Sequence, residues 1–272
     1  MSPEQQPPQN HGVKLGRRPT DFIAGQIPYE VRNPSGDWTK FIPSGERQYN
    51  RTADSMSCVT FSLLNAIETY EKFWTGSSNN YSDRWTAKMS QTTVEGNWLW
   101  MVAETVKQFG LVLESDYPNP PEPWTFPQYH SNILEPLYST LSKKGQNWRL
   151  KWKLNYEEIP VNAQSFAYHL KHGVLQIVIP GHAQEGIYQP GDITRVLDTY
   201  EPFIKSNNTS NIVFAYKIIL TPNLMNKAKI VKSKKDATVY IAYPISKWDL
   251  LVERASLEGI VIPDPVPDTD SL

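Results

Sequence analysis

The 272-residue chain has a single cysteine, Cys58, set where a thiol could act as a nucleophile. Polar residues suited to cap a helix, Asp54, Ser55 and Ser57, stand just before it. Apolar residues at helical spacing follow: Val59, Leu63, Ala66, Ile67, Tyr70 and Phe73. A thiol on the first turn of a helix meets backbone N–H groups that have no intrahelical acceptor, and the positive end of the helix dipole. Both favour the thiolate, which is the nucleophilic form.

A cysteine nucleophile also needs a base and a group that holds the base in place. Of the five histidines, His11 sits in a polar tail, His130 in a proline-rich loop, and His169 and His172 flank a helix end. His182 opens a strand after the Pro180-Gly181 turn, and Asp198 ends the apolar pair Val196-Leu197. Two adjacent strands could carry His182 and Asp198 side by side, so that the carboxylate fixes the imidazole tautomer. Each residue also has a plainer reading. A lone cysteine is often a small buried hydrophobe. His182 would serve as a structural strand residue, and Asp198 as a turn former in Asp198-Thr199-Tyr200-Glu201-Pro202.

The elements that must position these groups change character along the chain. Helical periods run over 57–73 and over 96–109, the second with Leu99, Val102, Ala103, Val106 and Phe109 on one stripe and Gly110 as its stop. Residues 118–127 hold five prolines and are expected to be irregular. A third helix is expected over 133–141, ending near Gly145. The period then becomes two: Trp148, Leu150, Trp152 and Leu154 alternate with polar residues, as in a half-buried strand. A short helix over 163–170 and strands over 174–179, 182–188, 195–197 and 213–220 follow. A mostly helical first half and a mostly sheet second half predict an α+β fold, two subdomains meeting along a cleft. Residues 237–259 add a strand and a capped helix (246–257), and an acidic, proline-rich tail starts at Pro263.

Bulk properties narrow the function. The 27 basic and 28 acidic side chains nearly cancel, so no nucleic-acid or membrane-surface partner is indicated. The lysines at 227, 229, 232, 234 and 235 lack interleaved aromatics and read as a solvated edge. One cysteine excludes an internal disulfide, and the Pro/Gln-rich residues 1–10 are not a signal peptide, so a cytosolic or assembly-bound location is expected. Asn50-Arg51-Thr52 and Asn208-Thr209-Ser210 match the glycosylation pattern but carry little meaning without secretion. No paired-cysteine metal motif, phosphate-cradling glycine loop or HExxH is present.

In this order the segments resemble the papain-like cysteine peptidases. Gly36-Asp37-Trp38 and Glu46-Arg47-Gln48 are similar to the family's first segment, with its tryptophan and oxyanion glutamine. Ser57 to Ser62 resembles its cysteine helix. Residues 96–110 with Tyr117-Pro118 resemble its second helix. His172 to Ile179, Gly181-His182-Ala183 and Leu197-Asp198-Thr199-Tyr200 resemble its later strands. The family sets the partners about 130–150 residues after the cysteine; Asp198 falls inside that interval and His182 just short of it.

There are departures. The gap from Gln48 to Cys58 is wider, which leaves Asn50 as a substitute. Asp198 replaces the usual asparagine, the loop before His182 is reduced to Pro180-Gly181, and the glycines around the cysteine are missing. No helical pro-segment is expected before the domain, and the pattern resembles distant phage-encoded relatives more than lysosomal ones.

The resemblance implies a papain-like domain over 36–220, with a helical N-terminal subdomain and an antiparallel β-sheet or barrel C-terminal subdomain. A flexible extension (1–35) would precede it and an accessory segment (221–272) would follow. It implies a Cys58–His182 thiolate–imidazolium pair oriented by Asp198, with the oxyanion held by the Cys58 N–H and Gln48. The reaction would be peptide hydrolysis, with a polypeptide substrate and no metal or organic cofactor. The competing expectation is a catalytically silent docking component of a larger assembly, such as a phage particle, attached through the tails. Shorter Cys-His amidases are disfavoured, because they place the histidine much nearer the cysteine.

Overall fold

A computed structural model describes residues 12–15, 31–223, 230–232 and 239–241. The chain divides into two units, Met1–Thr221 and Pro222–Leu272. Described in the second unit is one antiparallel strand pair, Ile230–Lys232 with Val239–Ile241. The expectations for most of the extension at 1–35, the helix at 246–257, the tail from 263 and the lysines at 227, 229, 234 and 235 lie outside the described residues.

Among the described residues of the first unit, a short strand, β1 (Val13–Lys14), comes before helix α1 (Cys58–Thr75). Val59, Leu63, Ala66, Ile67 and Tyr70 are all fully buried, as their spacing requires, and Gly76 closes the helix at φ 79° with its N–H on the Lys72 carbonyl. Burial of each large aliphatic side chain contributes about 1.5–3 kcal/mol. Helix α2 (Asp83–Met89) was not expected. Its seven residues are too few to show a period, but Ser82 caps it, accepting from the Trp85 N–H. The helix expected from residue 96 begins later: β2 (Asn97–Trp98) comes first, then α3 (Leu99–Phe109).

Two expectations are corrected here. The proline-rich stretch contains a single helical turn, α4 (Phe126–Tyr129), made by a Thr125/Gln128 capping box with Pro127 in the first turn, where its missing N–H costs nothing. The helix expected to stop near Gly145 runs on as α5 (Leu137–Lys151). Leu141, Gly145 and Trp148 recur at helical spacing and face inward, while Leu150 is 54% exposed. The alternation read as strand through 148–154 is therefore helix up to Lys151. Gly145 is a crossing point: a Cβ there would lie 2.1 Å from the Phe109 carbonyl oxygen.

The second half is a six-stranded sheet with helix α6 (Ala163–His169) beside it in sequence, capped by Asn162. The strands are β3 (Trp152–Glu158), β4 (Leu175–Ile179), β5 (His182–Tyr188), β6 (Ile193–Leu197), β7 (Ile204–Asn208) and β8 (Phe214–Pro222), in the order β3-β8-β4-β5-β6-β7. Pairing is antiparallel from β8 through β7. Strand β7 escapes sequence reading because Ile-Lys-Ser-Asn-Asn is an edge strand with almost nothing to bury.

Helix α1 packs on β4 and β5. Buried polar bonds fix that contact: Gln176 Nε2 donates to the Val59 carbonyl (2.9 Å) and Thr69 Oγ1 to Glu185 Oε1 (2.8 Å); the Tyr70 hydroxyl ties the same helix to β8 through the Ile218 carbonyl (2.8 Å). The packing sets the first turn of α1 against the start of β5.

Candidate active site

The segment before Cys58 is shaped by Asp54. Its Oδ1 accepts the Met56 N–H at 2.7 Å, and Met56 takes a left-handed φ of 56°. Ser57 stands at the N-cap position, yet its hydroxyl donates back to the Ser55 carbonyl (3.0 Å) instead of capping the helix. Cys58 follows, fully buried, with Sγ accepting from the Ala183 N–H at 3.4 Å. The thiol therefore touches the residue next to His182.

Strand register explains how His182 meets Asp198. Ile179 pairs with His182 across the Pro180-Gly181 turn, and Gly181 sits at φ 79°. Glu185 pairs with Leu197, which sets Gln184 opposite Asp198; His182, two residues back, points to the same face as Gln184. The Nε2 of His182 lies 2.7 Å from Asp198 Oδ1. That oxygen also accepts the N–H groups of Thr199 (2.6 Å) and Tyr200 (3.2 Å). Asp198 Oδ2 accepts from Gln184 Nε2 (2.5 Å) and Lys205 Nζ (2.9 Å).

Electrostatics differ sharply across the site. Burial alone would raise Asp198, but hydrogen bonds and charge from His182 and Lys205 override it and hold the carboxyl far below its ordinary range. An ionised Asp198 accepts from a protonated Nε2, which assigns Nδ1 as the basic nitrogen of a neutral ring. Cys58 goes the other way. Burial pushes its thiol well above the ordinary value, and Asp54 and Asp198 add to the rise; the Ala183 and Val59 N–H groups oppose it without prevailing. The helix-start argument for a thiolate is corrected accordingly: desolvation outweighs the helix terminus in this closed arrangement.

Gln48 is fully buried beside this group. Its Nε2 donates to Asp54 Oδ1 (2.9 Å) and the Tyr200 hydroxyl (3.2 Å), and its Oε1 accepts from Thr199 Oγ1 (2.7 Å). Asn50 is held elsewhere: its Nδ2 donates to the Trp124 carbonyl (2.9 Å) and its Oδ1 accepts from Thr52 and Ala53. Cys58, His182, Asp198 and Gln48 thus gather in one place, and Asn50 serves a turn.

Sequence reasoning missed Tyr200. Its hydroxyl donates to Asp54 Oδ2, and its ring lies edge-on to His182 at 5.3 Å and stacks on Tyr49 at 4.8 Å. Burial first, then Asp54, keeps its phenol protonated far beyond the ordinary range. The Leu197-Asp198-Thr199-Tyr200 run held the signal, being two residues past the acid on the same turn. Trp38 is a core residue, its Nε1 donating to the Leu170 carbonyl at 2.7 Å. A described surface cavity of about 520 Å³ is lined by Lys88, Phe109, His130 and Tyr138 among others, and includes none of the four gathered residues.

No family model matches the chain, and no curated protein matches it. Solved structures do. Xylellain, a cysteine protease from Xylella fastidiosa, is similar over 79% of this chain and 96% of its own, at 12% identity and a TM-score of 0.55. Digestive procathepsin L 3 of Tenebrio molitor larval midgut covers 79% and 77%, at 15% identity and 0.53. A recombinant stem bromelain precursor covers 76% and 78%, at 14% identity and 0.51. At such identities the likeness is one of fold. The chain has the papain-like α+β fold, helices beside an antiparallel sheet.

Proposed function

From this papain-like fold, we propose that the chain is a cysteine-type peptidase that hydrolyses polypeptides through Cys58, His182 and Asp198. One observation carries the reading: the thiol bonds to Ala183 while the adjacent His182 is held through Nε2 by an ionised Asp198. That leaves Nδ1 as the nitrogen able to take the thiol proton.

In the proposed cycle, His182 Nδ1 accepts the Cys58 proton and the sulfur attacks the peptide carbonyl. The oxyanion forms against the Cys58 N–H and the Gln48 amide, each donor worth about 3–4 kcal/mol in comparable sites. His182 then protonates the leaving amine. Water, deprotonated by the same nitrogen, releases the acyl group and restores the thiol.

A specific observation favours the silent docking reading. Cys58 is wholly buried, and the Gln48 amide already donates to Asp54 and Tyr200. Turnover of fluorescent casein by the full chain separates the two. The peptidase reading expects cleavage that Cys58→Ala abolishes; equal background from both proteins would leave the docking reading.

A further inference from the structure

The last turns of α2 and α3, the first turn of α5 and the segment before it line the cavity of about 520 Å³. That volume lies in the range of sites that hold one small organic molecule. Its floor is apolar. Met89, Phe109, Ile133 and Tyr138 line it, and all four also pack on the buried cluster of Trp85, Val112, Tyr117 and Leu141. The floor is therefore backed by close-packed core, which resists collapse into the space.

One charge stands at the wall. Lys88 Nζ donates to the His130 carbonyl (2.9 Å) and to Asn132 Oδ1 (2.9 Å). An ammonium carries three N–H groups, so a third donor remains for solvent or a ligand. The two bonds also pin the side chain, which lessens the rotamer entropy it would lose on binding. Among the described residues lining the cavity, Lys88 alone is fully charged at neutral pH. Burial first, then Lys88 and Arg84, hold His130 below its ordinary value against the effect of the Ser55 bond, so its ring is neutral there.

This pairing of surfaces selects an occupant. A wholly apolar ligand would cover the Lys88 ammonium and leave its third N–H dry, which is costly. A polyanion would find a single cation for its several charges. A molecule with one carboxylate and an apolar body satisfies both the wall and the floor.

We propose that this cavity is a binding site for a monocarboxylate with a bulky apolar body, the carboxylate on Lys88 Nζ and the body on Phe109, Ile133 and Tyr138. The site goes beyond the peptidase reading and stands without it, because Cys58, His182, Asp198 and Gln48 are not among the lining residues. Two sources share the required chemistry: a free aryl or alkyl acid, and the C-terminal residue of a peptide.

The test is calorimetric titration of the full-length protein at neutral pH with 4-phenylbutyrate, which should bind with a Kd of about 1 mM or tighter. 4-Phenylbutanol, the same body without the charge, should bind at least about fivefold more weakly, as expected for a lost charge-assisted bond. Lys88→Met should weaken the acid by a similar factor and bring the two compounds level. Gln91→Glu places a carboxylate at an exposed lining position and leaves the Lys88 bonds in place. It should weaken the acid and spare the alcohol, and it decides the matter if Lys88→Met folds poorly. Acetylated Ala-Ala-Phe with a free C-terminus separates the sources: binding as tight as that of 4-phenylbutyrate assigns the site to peptide ends, weaker binding to free acids. No binding of 4-phenylbutyrate, equal binding of acid and alcohol to the natural chain, or acid binding untouched in the folded variants overturns the proposal.

Discussion

Asp198 grips the His182 ring with one oxygen at 2.7 Å while its other oxygen receives two donors, Gln184 and Lys205. An asparagine could hold the ring equally well, but its NH₂ would then face those two donors. Asp198→Asn should therefore cost about 1–3 kcal/mol of stability, and less in a Lys205→Met background, as measured by chemical denaturation. An equal cost in both backgrounds would contradict this account of why the acid is here. Because the folded carboxyl is depressed, its contribution is present above the unfolded pKa of about 4 and is lost as pH falls toward the folded value.

Buried carboxyls elsewhere act with the opposite sign. Burial raises Glu185 to about 8 despite the Thr69 hydrogen bond, and raises Glu114 to about 7. Their protonated forms favour the fold below the unfolded value, and that contribution is lost as pH rises through the folded one. Each such group removes up to about 1.4 kcal/mol per pH unit in that window. Thermal unfolding should show stability declining from pH 5 to 8. Glu185→Gln, which keeps an acceptor for Thr69, should make the decline shallower; an unchanged slope would show Glu185 to be ionised.

Gln48 tests the oxyanion assignment. Removal of one such donor typically lowers kcat by about 10²–10³, so Gln48→Ala should lower kcat at least a hundredfold with little change in KM. A drop confined to stability, with kcat intact, would make Gln48 a support for Asp54 and Tyr200 only.

Gly145 offers a reversal of an ordinary rule. Alanine in a helix interior normally gains about 1 kcal/mol over glycine. Here its methyl would press on the Phe109 carbonyl, an overpacking cost of about 1–3 kcal/mol. Gly145→Ala should lower the unfolding midpoint, and a rise would mean that α3 and α5 can separate freely.

Much of this arrangement was legible in the sequence, and the reasons for what was missed are physical. Helices α1 and α3 announce themselves because their buried stripes are long and end in glycine. The His182–Asp198 pairing follows from a two-residue turn and strand alternation. Helix α5 was misread because tryptophans at 148 and 152 satisfy both a two-residue and a four-residue repeat. Tyr200 and β1 were invisible for another reason: a phenol reaching Asp54 and a glycine seated on Met56 are contacts between distant segments, and neither leaves a local pattern. The thiol's protonation was read from its helix alone, whereas burial by the rest of the fold decides it.

The central claim is a thiol made reactive by an imidazole, and labelling of Cys58 by a peptidyl epoxide near pH 6 tests it most directly. The rate is read by intact mass on the natural chain with and without His182→Ala. The account predicts one adduct, on Cys58, forming faster than on free cysteine and slowed at least a hundredfold without His182. Labelling no faster than free cysteine, or indifferent to His182, would contradict it.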